Sequence, residues 1–354
     1  MIESVIYGVH TYSVGMILTY KQYKRVLNAC YETECVIGTS HIFYGKERLY
    51  CYAYREQGLK VYLHGISGEL YRLSVQIEPC RVLGDVVPTT LFKPDKWNYR
   101  QMVKSIDKLL KKLKVPCSVD NMKISRCDLT ANVEFSSQEE LMEYLRIFKK
   151  SLIIPHYKFV FFKKNDQKAK NWKRANTHSH CLSCKSASFL IYDKVAQLEM
   201  IDRCDETLLG KHILRLEAEL KRPALKKHIG KITMYENQNI LVAASQKCPK
   251  VISWYVNRLQ PRCKHYLRYE DAVKQVRQVQ LLKEKTRSRM LYLLRKTSDR
   301  DSLAAALEDL RTKENLSKSQ CSNILKKFKR LGISPITLRN DSTFDTLPAL
   351  IVEG

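Results

Sequence analysis

The chain has 354 residues, 44% of them hydrophobic, and 62 Lys+Arg against 36 Asp+Glu give it a formal charge of +26. That length and apolar content exclude general disorder and allow two or three domains, while the charge points to a polyanionic partner, nucleic acid first. No uninterrupted apolar run approaches the roughly 20 residues of a spanning helix, and "MIESVIYGVHTYSVGMIL" has an early Glu and no basic leader, so we expect a cytoplasmic protein with no membrane partner.

Residues 40–82 alternate in polarity and predict three β-segments broken at Gln57-Gly58 and Ser67-Gly68, a meander with one buried face. "NYRQMVKSIDKLLKKLKV" follows with Met102, Ile106, Leu109, Leu110 and Leu113 at helical spacing and lysines opposite. In "KISRCDLTANVEF" the two-residue period places Ile124, Arg126, Asp128, Thr130 and Asn132 on one face and Cys127, Leu129, Ala131 and Val133 on the other. "SSQEELMEYLRIFKKSL" then starts a helix, with Ser136 or Ser137 as N-cap and Glu139 or Glu140 in its first turn.

Residues 158–174 predict a strand running into a basic loop, where Lys163, Lys164, Lys168, Lys170, Lys173 and Arg174 surround Trp172. Cations around an aromatic suit phosphate contact with base stacking, though a solvated loop has the same composition. Next, "THSHCLSC" gathers His178, His180, Cys181 and Cys184; a structural zinc site needs a second ligand pair, and neither Cys127 nor Cys204 arrives in one. The twelve cysteines are scattered through apolar patterns and suit reduced, buried thiols better than a disulfide framework.

A strand over Ser188–Tyr192 precedes the charged helix "DKVAQLEMIDRC". "KHILRLEAELKRP" alternates again, with Arg215, Glu217 and Glu219 on one face and Leu214, Leu216, Ala218 and Leu220 on the other. Strand, helix, strand, strand, helix, strand across 122–222 predicts an α+β fold with an antiparallel sheet. After Pro223 helices dominate: "YEDAVKQVRQVQLLKEKTRSRMLYLLRK" reads as long, amphipathic and basic. "LSKSQCSNILKKFKRLGI" has the pattern of the second helix of a helix-turn-helix, with Ser317 as N-cap, Ile324, Leu325 and Phe328 inward and Lys326, Lys327, Lys329 and Arg330 outward; a packing helix with a basic face is the alternative. We therefore divide the chain into a sheet-rich part (1–115), an α+β core (116–235) and a helical region (236–354) for DNA or a partner such as a helicase.

If their two strands are neighbours, Asp128, Glu217 and Glu219 converge into a hard oxygen site suited to Mg²⁺ or Mn²⁺, unless Arg126 and Arg215 on the same faces neutralise them. Tyr192 and Lys194 share a face if the extended chain continues through Asp193, and a phenol becomes a nucleophile at neutral pH only where a cation stabilises its anion or the group it attacks.

"ISRCDLTANVEF", "FLIYDKVAQLE" and "ILRLEAELKRP", in this order and spacing, resemble the replication initiators encoded by gene II of filamentous phages and, more distantly, the rolling-circle initiators of some plasmids. The similarity covers about residues 40–235 and includes "YRLSVQIEPCRVLG". It implies an endonuclease that nicks one strand of an origin duplex, stays joined through a 5′-phosphotyrosine and later reseals the strand. Tyr192 then matches the nucleophile, Lys194 the lysine of the tyrosine motif, and Asp128, Glu217 and Glu219 the acidic positions that hold the ion. Many tyrosine nickases carry two histidines flanking a hydrophobic residue, whereas His178-Ser179-His180 has serine between them. A mobilisation relaxase with the same chemistry and a non-enzymatic DNA-binding regulator are the rival expectations.

Overall fold

A computed structural model describes residues 2–33, 47–54, 57–66, 70–162, 172–201, 203–230, 236–260, 263–299 and 301–351. In chain order the first elements are β1 (Ile2–Leu18), α1 (Tyr20–Glu32), β2 (Glu47–Tyr54), β3 (Leu59–Ile66), β4 (Leu70–Ile77), α2 (Pro79–Val82) and α3 (Lys96–Lys112). Then come β5 (Lys123–Phe135), α4 (Gln138–Lys149), β6 (Lys158–Val160), α5 (Trp172–Thr177), β7 (Ser179–Ser183), β8 (Ala187–Asp193), α6 (Lys194–Glu199), β9 (His212–Lys221), α7 (Arg222–Ile229) and α8 (Asn237–Leu259). The remainder is β10 (His265–Leu267), α9 (Tyr269–Gln278), α10 (Glu284–Ser298), α11 (Leu303–Lys313), α12 (Lys318–Leu331) and β11 (Thr346–Pro348).

Among the described residues, nine strands form one antiparallel sheet in the order β2-β3-β4-β1-β5-β9-β8-β7-β6. The chain is thus a mixed α+β protein with a large antiparallel sheet and a helical C-terminal region. The meander turns at Gln57-Gly58 as its composition requires, Gly58 taking φ +71°; the Ser67-Gly68 break lies outside the described residues.

Alternation gives the sheet two unlike faces. Val14, Val75 and Val61 on one side of the centre, and Leu129, Leu216, Ala218 and Phe189 on the other, belong to a single buried apolar layer. Helices α1, α3, α4, α7 and α8 cover it: Met102, Ile106, Leu109, Leu110 and Leu113 are all buried, and the Tyr12 hydroxyl rests 3.7 Å from the Met102 sulfur. Ser137 caps α4, accepting from the Glu140 backbone N–H, with Glu139 and Glu140 in the first turn. Such acidic residues complement the partial positive charge of a helix N-terminus.

Ile124 departs from the two-residue pattern. A register shift pairs Ser13 with Arg126 but Val14 with Ile124, so Ser125 is the extra residue of a bulge and Ile124 turns into the core at 2% exposure, not onto the polar face.

The opposite face carries polar residues on β5 and β9 and is crossed by the segment 83–92. Val9 and Phe92 exchange backbone hydrogen bonds at 2.9 and 3.0 Å, and Gly8 admits this close pass because a Cβ there would meet Leu91 Cβ at 2.7 Å and the Phe92 carbonyl oxygen at 2.9 Å. Helix α6 returns over the same face, seating Leu198 against Leu208 and Ile213.

Helices α9 to α12 bury a second core of Ala272, Val276, Met290, Leu294, Leu310, Ile324 and Phe328. They dock on the main body through Leu303, which belongs to its core, and through Lys150, whose ammonium donates to the Thr297 and Asp299 carbonyls at the end of α10 at 2.5 and 2.9 Å. The long amphipathic stretch is two helices, not one. The backbone turns extended at Val279, Leu282 drops into the second core, and Arg287 Nη2 takes the Val279 carbonyl at 3.0 Å, so packing ends a helix that the local pattern would have continued. Among the described residues no helix is long and apolar enough to cross a membrane.

Candidate active site

The polar face concentrates its chemistry where β1, β5, β9 and β8 lie side by side. Asp128 pairs with Glu219 and Thr130 with Glu217 across β5 and β9, while Tyr192 of β8 pairs with Arg215 of β9. Paired residues of an antiparallel ladder point to the same face. The three carboxylates Asp128, Glu217 and Glu219 therefore converge, each offering an oxygen within 4.8 Å of the others, with Asp128 and Glu217 buried. This buried acidic triad could hold a metal ion.

Arginine also enters the cluster. Arg126 forks onto Asp128 with Nε–Oδ1 and Nη2–Oδ2 distances of 2.6 Å, and the same Nη2 reaches Glu219 Oε1 at 2.7 Å. Arg215 does otherwise: fully buried, it donates from Nε to Asn132 Oδ1 at 2.8 Å and from Nη2 to the Pro88 carbonyl at 3.1 Å, tying the crossing segment to the sheet. Asn132 supports the same segment through the Thr89 carbonyl at 2.6 Å. The Arg215 Nη1 is buried without a hydrogen-bond partner, in a guanidinium whose charge favours ionisation of the Tyr192 phenol.

Tyr192 donates its hydroxyl to Glu217 Oε2 at 3.0 Å. Burial, then the Glu217 charge, holds its pKa above the ordinary phenol value, against the pull of Arg215. The same Glu217 oxygen lies 3.4 Å from Nδ1 of His10. Burial opposes ionisation of Glu217, but His10, Arg215 and the phenol's donated bond outweigh it and keep the carboxylate charged. Asp128 goes the other way: burial raises its pKa, the Arg126 fork opposes the rise, and the charges of Glu217 and Glu219 add to it. A cation among these carboxylates would relieve that crowding, and the donor set, all carboxylate oxygen with one imidazole beside it, fits a hard divalent ion.

The strand carrying Tyr192 ends at Asp193, so Lys194 opens α6 and does not continue the strand. Asp193 makes the switch: one carboxylate oxygen caps the Ala196 N–H at 3.0 Å, and the other is held by Gln138 at 2.8 Å and His178 at 3.2 Å. Lys194 is buried, donates to Gln197 Oε1 at 2.8 Å, and is pushed well below the ordinary lysine pKa by burial and then by Arg215, with Glu217 opposing. Helix α6, which it opens, packs on β8 and β9 over the face that carries the tyrosine.

His10 was not legible as a site residue. It is the extra residue of a bulge in β1, between the pairs Val9 with Leu129 and Thr11 with Asp128, and such a bulge re-aims a side chain that strict alternation would place elsewhere. Its only sequence signal is a polar residue inside the apolar run "YGVHTYSV".

The chain matches no known family model and no curated protein.

The other expected residues lie elsewhere. Lys163, Lys164, Lys168 and Lys170 are outside the described residues. Lys173 stands 5.8 Å from the centroid of the half-buried Trp172 ring, and Arg174 is ion-paired with Glu199. His178 is engaged by Asp193, His180 turns into the apolar layer 5.0 Å from the Phe159 ring centroid, and Cys181 faces the opposite side, paired with Leu190. That alternation keeps the "THSHCLSC" residues from converging, and among the described residues the acidic triad alone forms a group of three or more ligands. Lys326, Lys329 and Arg330 are exposed on α12 and Lys327 is half-exposed.

Proposed function

We propose that this protein is a DNA replication initiator that nicks one strand of an origin through Tyr192, holds the 5′ end as a phosphotyrosine and later reseals it. The observation that carries this reading is the 3.0 Å hydrogen bond between the Tyr192 phenol and Glu217, a member of the carboxylate triad. A nucleophile, an ion site and a proton acceptor are thereby adjacent on one face of a rigid sheet.

In the proposed step the Tyr192 oxygen forms its bond to phosphorus as the P–O3′ bond breaks. The phenolic proton passes to Glu217, and the departing 3′-oxygen takes up a proton and is left as the free hydroxyl that primes synthesis. One phosphodiester replaces another, so resealing needs no ATP. A Mg²⁺ or Mn²⁺ held by Asp128, Glu217 and Glu219 would polarise the scissile phosphate and offset its charge. The Arg215 charge favours the phenolate, Lys194 opens the helix that follows the tyrosine, Asp193 fixes the turn that aims Tyr192, and His10 positions Glu217.

Helices α11 and α12 support duplex binding. Four residues, Glu314 to Ser317, join them, with Asn315 at φ +50°, and Ser317 and Gln320 form a capping box that starts α12. The second helix then presents Lys326, Lys329 and Arg330 to solvent. This favours, as a second reading, a non-enzymatic duplex-binding regulator. The two separate on supercoiled plasmid carrying the element's own origin: the initiator gives open circles with Mn²⁺ and none with EDTA or with Tyr192→Phe, whereas a regulator binds and cuts nothing.

A further inference from the structure

The acidic cluster opens sideways into a groove. A cavity of about 760 Å³ runs over the polar face from β4 and β1 to the start of α7, and its wall includes Arg72, Lys123, Arg126, Lys221 and Arg222. Five cations and no carboxylate line it among the described residues, although Asp128 and Glu219 are only two residues further along the same strands and Glu217 follows two beyond Glu219. Gly15 keeps its floor low: a Cβ there would meet the Leu73 carbonyl oxygen at 2.9 Å and Arg72 Nε at 3.5 Å. Clustered guanidinium and ammonium groups along a trough are what a sugar-phosphate backbone demands.

Arg126 belongs to both places. It lines the groove, keeps 30% side-chain exposure, and turns its fork inward onto both oxygens of Asp128 and one of Glu219. A divalent ion would draw on those same two carboxylates, and two cations sharing buried Asp128 and half-buried Glu219 repel each other. The arginine has a flexible stem and an open groove beside it.

We propose that the groove is a binding site for a single DNA strand and that Arg126 couples it to the ion site: without an ion its fork closes the carboxylates, and with one it swings into the groove and takes a backbone phosphate. The inference rests on the ion-dependent reading above and adds to it an order of assembly, in which ion and strand each favour the other.

The test uses the full chain, Mn²⁺ titrated by calorimetry, and a 20-nucleotide mixed-sequence single strand without an origin, followed by fluorescence anisotropy. Wild type should bind the strand about tenfold more tightly with saturating Mn²⁺ than with EDTA, within the range usual for coupled sites. Arg126→Gln should lose most of that gain and bind Mn²⁺ more tightly in the absence of DNA, which a merely structural defect would not produce. Should that variant fail to fold, Arg126→Lys, which keeps the charge without the fork, should show the same two changes in smaller degree. Lys123→Gln/Arg222→Gln should weaken strand binding with and without Mn²⁺ and leave Mn²⁺ affinity unchanged.

A Mn²⁺ gain that persists in both Arg126 variants overturns the coupling. Unaltered strand binding in the double variant overturns the groove. Absence of Mn²⁺ binding to wild type removes the ion site and the coupling together, whereas bound Mn²⁺ with no change in strand affinity removes the coupling alone and leaves the ion reading standing. Inorganic phosphate at millimolar concentration should not displace the strand; if it does, the groove is a simple anion site and not a strand track.

Discussion

Glu217 receives the Tyr192 hydroxyl and the His10 ring on one oxygen, so its exchange for Gln removes the proton acceptor while nearly keeping the shape. We expect Glu217→Gln to lower the nicking rate about 100-fold or more, as loss of a general base does, with strand binding in EDTA unchanged; equal rates for the two proteins would remove Glu217 from the chemistry. His180 makes a prediction of another kind. Burial pushes its pKa down to about 4, with Lys149 adding to the fall, so the folded state binds its proton less readily than the unfolded chain. The stability tied to neutral His180 is present above the ordinary histidine pKa and is lost as pH falls toward 4; by pH 5 the loss is about 2 kcal/mol. Urea unfolding at pH 7 and pH 5 should show this loss in wild type and a smaller one in His180→Leu. The convergence of Asp128, Glu217 and Glu219 could be read from the sequence because alternation assigns side chains to faces, whereas Tyr192 was singled out by the resemblance and not by its strand pattern. His10 could not, since a bulge sets its direction, and Arg215, read there as a partner for carboxylates, instead holds Asn132 and the Pro88 carbonyl.

Strands β8, β9 and β5 from Arg126 onward were legible because each alternates, and α3 and α4 because their apolar residues recur at helical spacing and a serine caps α4. The bulge at Ser125 and the break at Val279 were not, since neither carries Gly or Pro; register against β1 decides the first and burial of Leu282 the second. The crossing segment 83–92 also escapes pattern reading, because Gly8, the residue that admits it, lies far away in the chain. Gly8→Ala should destabilise the protein by about 2 kcal/mol or more, since backbone and Leu91 must both move. Gly210→Ala serves as its control: with φ +74° and nothing within 4 Å of the added carbon, it should cost only the left-handed backbone strain of about 1 kcal/mol. Equal urea midpoints for the two variants would show that the segment does not press on β1.

Among the described residues, the charge of +26 is presented in the groove beside the carboxylates and on the exposed face of α12. They should separate in experiment. Lys326→Gln/Lys329→Gln/Arg330→Gln should weaken origin-duplex binding and flatten its salt dependence by up to about 2.7 in log–log slope, about 0.9 for each phosphate no longer neutralised, while nicking of an origin sequence supplied as a single strand is unchanged. A uniform loss on both substrates would place α12 at the strand and not at the duplex. The measurement that bears most directly on this account is mass spectrometry of the protein after reaction with an origin oligonucleotide and Mn²⁺, followed by digestion and mapping of the modified peptide. The account requires one 5′-phosphorylated strand fragment joined to the peptide containing Tyr192, and no adduct with Tyr192→Phe or with EDTA. An adduct on a different tyrosine, or cleaved DNA with no protein attached, would contradict it.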